Sequence, residues 1–405
     1  MRRYRHIEFV IILICICFLA ITKSVYGFTP LKSCPGFTQA SNALLENAIQ
    51  EALEAENLVE LETYLALLQC RLGQPHSIGS ERYIMVQKTS FSGLSSSLLK
   101  EQREKIIKAL ENKMLNTRPP LNPQQIDGYT SILKALVHLT GKEKESASNI
   151  YLGKARIIAD HLLALQNSKS SDSSLYTNDL PKEDIARLNV DAAMALIDLY
   201  RITGEVVYME SAMRVEKELG TQQRGLDFLS NAAYSALRTR LAYELMKYDE
   251  FDDILFNLEL GVFSGLYESG SFKGHFLTPE AERLESRYRI ARFLLIASRQ
   301  FPTGHAGKYK TRQAADFVIQ AIYSQYAQKK GIQTGAGSAN LICALYKDVR
   351  KVDEILEPEA YQSYKATLNF LISQVVFSNK AGLRLDEAYV SLCLLDIADY
   401  ILLKD

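Results

Sequence analysis

Apolar residues return at helical spacing along almost the whole chain. Leu152, Ala155, Ile158, Leu162 and Leu165 form one such stripe, Ile185, Leu188, Ala192, Leu196 and Leu199 a second, and Tyr361, Tyr364, Leu368, Leu371 and Val375 a third. Steps of three and four place these side chains on one face of a helix, whereas a half-buried strand would alternate every second residue, and no comparable stretch does so. Helix starts are marked by Asn122-Pro123 and Thr278-Pro279, a capping residue before a first-turn proline. Gly141, Gly204 and Gly220 are expected to close helices from the other end. The pattern predicts about fourteen helices, near 37–53, 58–71, 95–115, 124–140, 150–167, 183–202, 206–219, 228–246, 249–258, 280–299, 306–328, 337–350, 358–377 and 384–403.

The helices come in pairs that resemble one another. Leu136-Val137-His138-Leu139-Thr140-Gly141 followed by Tyr151-Leu152-Gly153-Lys154-Ala155 answers to Leu199-Tyr200-Arg201-Ile202-Thr203-Gly204 followed by Tyr208-Met209-Glu210-Ser211-Ala212. Fainter echoes begin at Tyr309 and Tyr361, so the unit recurs roughly every 50 to 60 residues, the signature of stacked helix hairpins. If the helices near 124–140, 183–202, 228–246, 280–299, 337–350 and 384–403 form an inner ring, the first five find outer partners just after them in sequence. The last has none, and the helix at 95–115 is free to supply it. The expected fold is therefore all-α, six hairpins closed by the two ends of residues 91–405 into an (α/α)6 toroid, with 28–90 as an N-terminal helical extension.

The pairing of Leu-Tyr-Arg-Ile-Thr-Gly-Glu with Val-Tyr-Met-Glu-Ser-Ala resembles the hairpin units of the six-hairpin glycosidase-like (α/α) toroids, a superfamily of carbohydrate hydrolases, lyases and epimerases. The resemblance covers roughly residues 95 to 403 in rhythm. It implies an active site at the mouth lined by the loops that lead into the inner helices, here 116–123, 168–182, 220–227, 259–279, 329–336 and 378–383. One departure is plain: sugar-processing toroids usually stack substrate on Trp, and this chain has no Trp among its 22 Tyr and 16 Phe.

Composition narrows the partners. Lys+Arg and Asp+Glu are 47 each, so the chain lacks the basic excess of a nucleic-acid binder. The first residues differ from the rest. Arg2, Arg3, Arg5 and His6 precede an apolar run from Phe9 to Ile21, and Val25-Tyr26-Gly27 offers a cleavage site, so residues 1–27 are expected to be a secretion signal with the mature chain starting near Phe28. An uncleaved anchor would keep the same export direction and would be the protein's only tie to a membrane; a lipid anchor at Cys34 is disfavoured by Lys32. Export permits disulfides. Cys34 and Cys70 flank the first helical pair and are placed to staple it, while Cys343 and Cys393 lie on apolar faces and are expected to be buried free thiols.

The most unusual stretch is Gly261 to Phe276, with four glycines and four aromatics beside Glu268 and His275. Tyr267 or His275 is a candidate acid or base for lyase-type proton abstraction, with Arg283 neutralising a uronate carboxylate. The competing reading is a structured surface loop that plugs the barrel. Glycoside hydrolysis needs two carboxylates across the scissile bond, for which Glu268 or Glu282 facing Asp386 or Glu387 is the candidate arrangement. The helix near 280–299 opens with Glu280, Glu282, Arg283, Glu285, Arg287 and Arg289, either facing a funnel or forming a solvated, ion-paired start. Gly331 to Asn340 leads into an inner helix with small residues, a tight turn or an anion cradle, with Asn340 its binding candidate. The six histidines show no ligand spacing, so no metal and no cofactor are expected. The leading expectation is an exported, periplasmic or secreted toroid that binds or processes an envelope or extracellular polysaccharide. The alternative is a noncatalytic helical-repeat scaffold that binds an envelope protein or peptide.

Overall fold

The computed structural model describes residues 82–84, 94–115, 126–141, 145–167, 175–176, 182–329, 332–334, 336–348, 352–377 and 388–402. The helices expected near 37–53 and 58–71, the signal segment, Cys34, Cys70 and the Asn122-Pro123 start lie outside them. The described helices are α1 (Ser96–Leu115), α2 (Ile126–Thr140), α3 (Glu145–Asn167), α4 (Lys182–Thr203), α5 (Val206–Thr221), α6 (Phe228–Glu244), α7 (Phe251–Gly261), α8 (Pro279–Glu282), α9 (Leu284–Gln300), α10 (Ala306–Lys329), α11 (Ala336–Lys347), α12 (Pro358–Phe377) and α13 (Ala388–Leu402).

The ring closes. Helices α2, α4, α6, α9, α11 and α13 each pack on the next, and α13 packs back on α2. Outside them, α3 lies on α2, α5 on α4, α7 on α6, α10 on α9 and α1 on α13, while α12, expected on α11, packs chiefly against α10 and α13 and touches α11 only slightly. The closed ring of six inner helices with an outer layer is the (α/α)6 toroid expected from the sequence. The inner helices are buried on every side: in α4, Val190, Ala192, Ala193, Ala195, Leu196, Ile197 and Leu199 are all fully buried. A helix with apolar residues around its whole circumference has no face to give to water, so it becomes the core, while two-sided helices such as α1 become the outer layer. Alanines at 192, 195, 232, 236, 291 and 297 let the inner helices approach one another.

The repeated Thr-Gly motif works as a stop. Thr140 and Thr203 turn their hydroxyls back onto the carbonyls of Leu136 and Leu199, at 2.9 and 3.0 Å. Gly204 then takes a φ of +72°, and its N–H donates to Tyr200 O at 2.7 Å. Gly220 behaves differently from expectation. Helix α5 runs through it to Thr221, and its hydrogen side lies where a Cβ would sit 2.8 Å from the Tyr234 hydroxyl, so close packing rather than a chain reversal calls for glycine there. The Thr278-Pro279 start holds: Thr278 accepts from Ala281 N at 3.4 Å, with proline in the first turn.

Three departures matter for the site. The segment expected as one helix over 280–299 is broken at Arg283, whose extended backbone separates α8 from α9. Two three-residue strands, Arg82–Ile84 (β1) and Ile332–Thr334 (β2), pair antiparallel and fasten the chain ahead of α1 to the connection leading into α11; three residues are too few for a period-two pattern to register. Finally, Cys343 and Cys393 are joined in a disulfide, their Cα atoms 6.1 Å apart, and are not free thiols. Each lies on an apolar stripe, but α11 and α13 are ring neighbours and turn those stripes toward each other.

Candidate functional site

Inner helices α2, α4, α9, α11 and α13 each bring residues of their N-terminal half to one mouth, where the positive ends of their dipoles lie. A cavity of about 60 Å³ opens there among α2, α4, α9, α11 and α13. Its lining carries four cations, Lys134, Arg187, Arg289 and Arg292, and three acids, Asp127, Asp191 and Glu285.

The charges are layered. Two helical turns below the mouth, Asp191 of α4 accepts from Lys134 Nζ of α2 at 2.9 Å and from both terminal nitrogens of Arg292 of α9, Nη1 at 3.1 Å. All three side chains are at least 85% buried, so none could stand there unpaired. Burial pushes the Asp191 carboxyl upward, but Arg292, Lys134 and Arg187 outweigh it and hold the group well below the usual carboxylate range. Asp191 is therefore ionised at any physiological pH and serves as a fixed negative charge, not as a proton donor. Burial likewise works against the Arg292 charge, and Asp191 more than restores it.

Nearer the mouth, Arg187 and Arg289 converge on Asp184, at 2.9 and 3.4 Å, and Arg187 lies 3.8 Å from Asp127. Arg289 also donates to Glu285 through Nε at 3.1 Å. Neutral polar groups complete the wall: Thr130, Ser131, Asn340 and the Tyr389 ring, behind which Lys347 places its ammonium 5.0 Å from the ring centre. The Thr130 hydroxyl is buried and has no hydrogen-bond partner among the described residues.

The glycine-rich loop takes another course. Leu266 and Phe276 bridge its two arms, Tyr267 N donates to His275 O at 3.0 Å, and Gly274 N returns to Tyr267 O at 2.8 Å. Gly265 lies against the Phe228 ring and Gly274, at φ +83°, against the backbone of Phe317 on α10, so both glycines are needed for close approach. Lys273 sets its ammonium 3.9 Å above the Phe317 ring. Glu282 locks the loop to the helices: one oxygen meets His275 Nδ1 at 2.7 Å and Arg287 Nη1 at 3.1 Å, the other accepts from Phe276 N at 2.8 Å. Arg287, 1% exposed, continues to Gln325 of α10 at 3.1 Å. The charged start of this helix is thus neither wholly solvated nor wholly in the funnel. Arg287 is buried under the loop, while Glu285 and Arg289 face the cavity.

Of the residues singled out in the sequence, the structure brings His275 and Glu282 together as a hydrogen-bonded pair, with Tyr267 tied to His275 through the backbone. Glu268 and Arg283 are exposed, on the loop and at the α8–α9 joint. None of these five lines the cavity; Asn340 does. Asp386 and Glu387 lie outside the described residues. Lys134, Arg187, Asp191 and Arg292 were not anticipated as a site, although they carried a signal. Each interrupts an apolar inner helix, as in Ile132-Leu133-Lys134-Ala135-Leu136 and Ala291-Arg292-Phe293-Leu294, and a charge inside a helix buried all round requires a partner.

No protein-family model matches the chain, and no curated protein matches it in sequence. Among solved structures, unsaturated glucuronyl hydrolase from Streptococcus agalactiae and a point mutant of it are similar, each with a TM-score of 0.48 and 11% identity over 78% of this chain and 98% of theirs. The toroid assignment rests on the ring of helix contacts within this chain.

Proposed function

We propose that this chain is an exported toroid that binds or processes an acidic envelope or extracellular saccharide, as a hydrolase or lyase, and that it takes up an anionic substituent in the mouth cavity. The observation that carries this is the gathering of Arg187 and Arg289 near the mouth, with Lys134 and Arg292 below them, around one cavity at the N-terminal side of inner helices, since cations and helix N-termini both favour an anion. The size selects the mode. At about 60 Å³ the cavity holds a few waters, the room a carboxylate or sulfate needs, so a charged group enters while its sugar ring rests at the rim. Thr130, Asn340 and Tyr389 supply hydroxyl partners and an aromatic face in a chain without Trp. Export is supported by the basic and apolar N-terminal pattern and by the buried Cys343–Cys393 disulfide, a bond that persists in oxidising compartments.

The rival, an open-solenoid scaffold, needs a gap between α1 and α13; these helices pack together. The test is a thermal-shift and turnover screen of the purified protein against neutral, uronic, sulfated and amino-sugar saccharides. It is repeated with Arg289→Ala and Asn340→Ala in the cavity, and with Tyr267→Phe, His275→Ala and Glu282→Gln in the loop. Responses confined to acidic saccharides and lost in the cavity variants are expected; loss only in the loop variants would move the chemistry to the His275–Glu282 pair. Silence from a well-folded sample would leave the noncatalytic reading.

A further inference from the structure

Among the described residues, Met246 is the one non-glycine residue with a positive φ, at +56°, and it is 74% exposed. It directly follows Leu245, the cap of α6. The Lys247 N–H donates to Ala242 O at 2.8 Å and the Met246 N–H to Tyr243 O at 3.3 Å, the doubled turn that closes a helix through a left-handed residue. After α4 the left-handed position is filled by Gly204, where no Cβ opposes it. A methionine in that conformation is strained, and a side chain so exposed contributes no packing to offset the strain. Strain held at an exposed position points to a contact outside the chain.

Other apolar side chains stand beside it. Ile202, Val206 and Val207 form the tip between α4 and α5, Tyr243 and Tyr248 flank Met246 past the end of α6, and all of them are exposed. Arg201 Nε meets Glu244 Oε1 at 3.5 Å, which sets the ends of α4 and α6 side by side and joins the two groups into one face. Arg156 with Glu205, at 2.7 Å, and Lys247 with Glu250, at 2.9 Å, complete a rim of paired charges. Six side chains of this size, each about half exposed, offer roughly 600 Å² per copy, so two copies meeting there would bury roughly 1,200 Å², the size at which specific interfaces begin. An exposed apolar patch of that extent marks a contact surface.

We infer that this face is the interface of a two-fold homodimer, in which the tips at Ile202 to Val207 and Tyr243 to Tyr248 of one copy meet the same tips of a second. Three observations select a second copy as the occupant. The rim pairs charges of both signs with one another, so the face does not repel its own image and offers no excess charge to a basic partner, an acidic partner or an anionic lipid surface. Its centre holds methionine and tyrosine, residue types enriched where protein surfaces meet. Its area, doubled by symmetry, reaches what a specific dimer needs. The pairing also leaves the mouth clear. Asp191 of the cavity and Ile202 of the face are eleven residues apart on α4, about 16 Å along the helix, so the cavity of each copy lies away from the join.

Sedimentation velocity on the purified chain, from nanomolar to micromolar concentration, tests this. Wild type is expected to reach twice the chain mass in the micromolar range, and Val206→Glu and Tyr248→Glu to stay monomeric, with circular dichroism confirming that they fold. Met246→Gly is the decisive variant, because it relieves the turn and so folds whatever the glutamates do. It is expected to weaken self-association by about tenfold or more while raising the melting temperature of the dilute, monomeric chain, a combination that a methionine with a purely structural role would not give. Arg289→Ala at the mouth should leave self-association unchanged. A wild type that stays monomeric at micromolar concentration overturns the inference, and so does a dimer that all three face variants leave intact. Flotation of a monomeric wild type with phosphatidylcholine vesicles, lost in Val206→Glu, would give the face to lipid and overturn the second copy as its occupant.

Discussion

Arg292 and Asp191 form a bidentate pair between α9 and α4, inner helices that are not neighbours in the ring, so the pair spans the barrel beneath its mouth. With Lys134 on α2 as third member, it ties half of the inner ring together at the floor of the cavity.

Removing one charge from this trio leaves the others buried without compensation. Asp191→Asn is expected to lower stability by about 3 kcal/mol or more. The measurement is denaturant unfolding, with Asp191→Asn compared against the double variant Asp191→Asn/Arg292→Met, which should recover part of the loss.

The same pair predicts an acid limb. The Asp191 carboxyl is held below its ordinary value in the folded chain, so its contribution is complete above the unfolded value, near 3.8, and is lost as pH falls below that toward the folded value. Wild type should thus lose stability more steeply than Asp191→Asn between about pH 4 and pH 2, and the two should run parallel from about pH 5 to 8. Melting curves over that range decide; a difference in slope near neutrality would mean another group titrates there.

Thr130→Val removes a hydroxyl that has no partner among the described residues and keeps the shape. The unliganded protein should be unchanged or more stable by up to about 1 kcal/mol, while affinity for an acidic saccharide should fall. A substantial loss of stability without ligand would show that the hydroxyl is already satisfied.

The disulfide closes a loop of 50 residues between α11 and α13. Chain-entropy arguments give about 4 kcal/mol for a loop of that length, so Cys343→Ser/Cys393→Ser, or reduction after partial unfolding, should lower the melting temperature by several degrees. Thiol counting under denaturing conditions, with and without reductant, checks the pairing. Two free thiols from the oxidised protein at these positions would refute it.

Gly274→Ala adds a Cβ 2.0 Å from the Phe317 carbonyl oxygen at a φ of +83°. A cost of about 2 kcal/mol is expected, with faster amide exchange confined to the loop and α8. Ligand binding in the cavity should be untouched, because the loop does not line it.

How much of this was legible beforehand can be read from particular residues. Helical spacing in Ile185 to Leu199 is a property of the local chain, and so is the stop at Thr203-Gly204; α4 and its end were therefore readable from sequence, as was the pairing that left the helix near 95–115 to close the ring. Charge sequestration is not local. Lys134, Asp191 and Arg292 are charges set among apolar residues, 57 and 101 residues apart, and nothing in the chain says that they meet. Cys343 and Cys393 present the same case, two apolar-face cysteines that become a bond only because α11 and α13 are ring neighbours. The glycine-rich loop looked like chemistry by its composition, yet its glycines answer to Phe228 and Phe317, contacts that no local pattern encodes. The sequence by itself determined helix, hairpin and ring, because periodicity and turn chemistry act within a few residues. Tertiary structure alone decided which charges share a cavity, since electrostatic partners are chosen by distance in space.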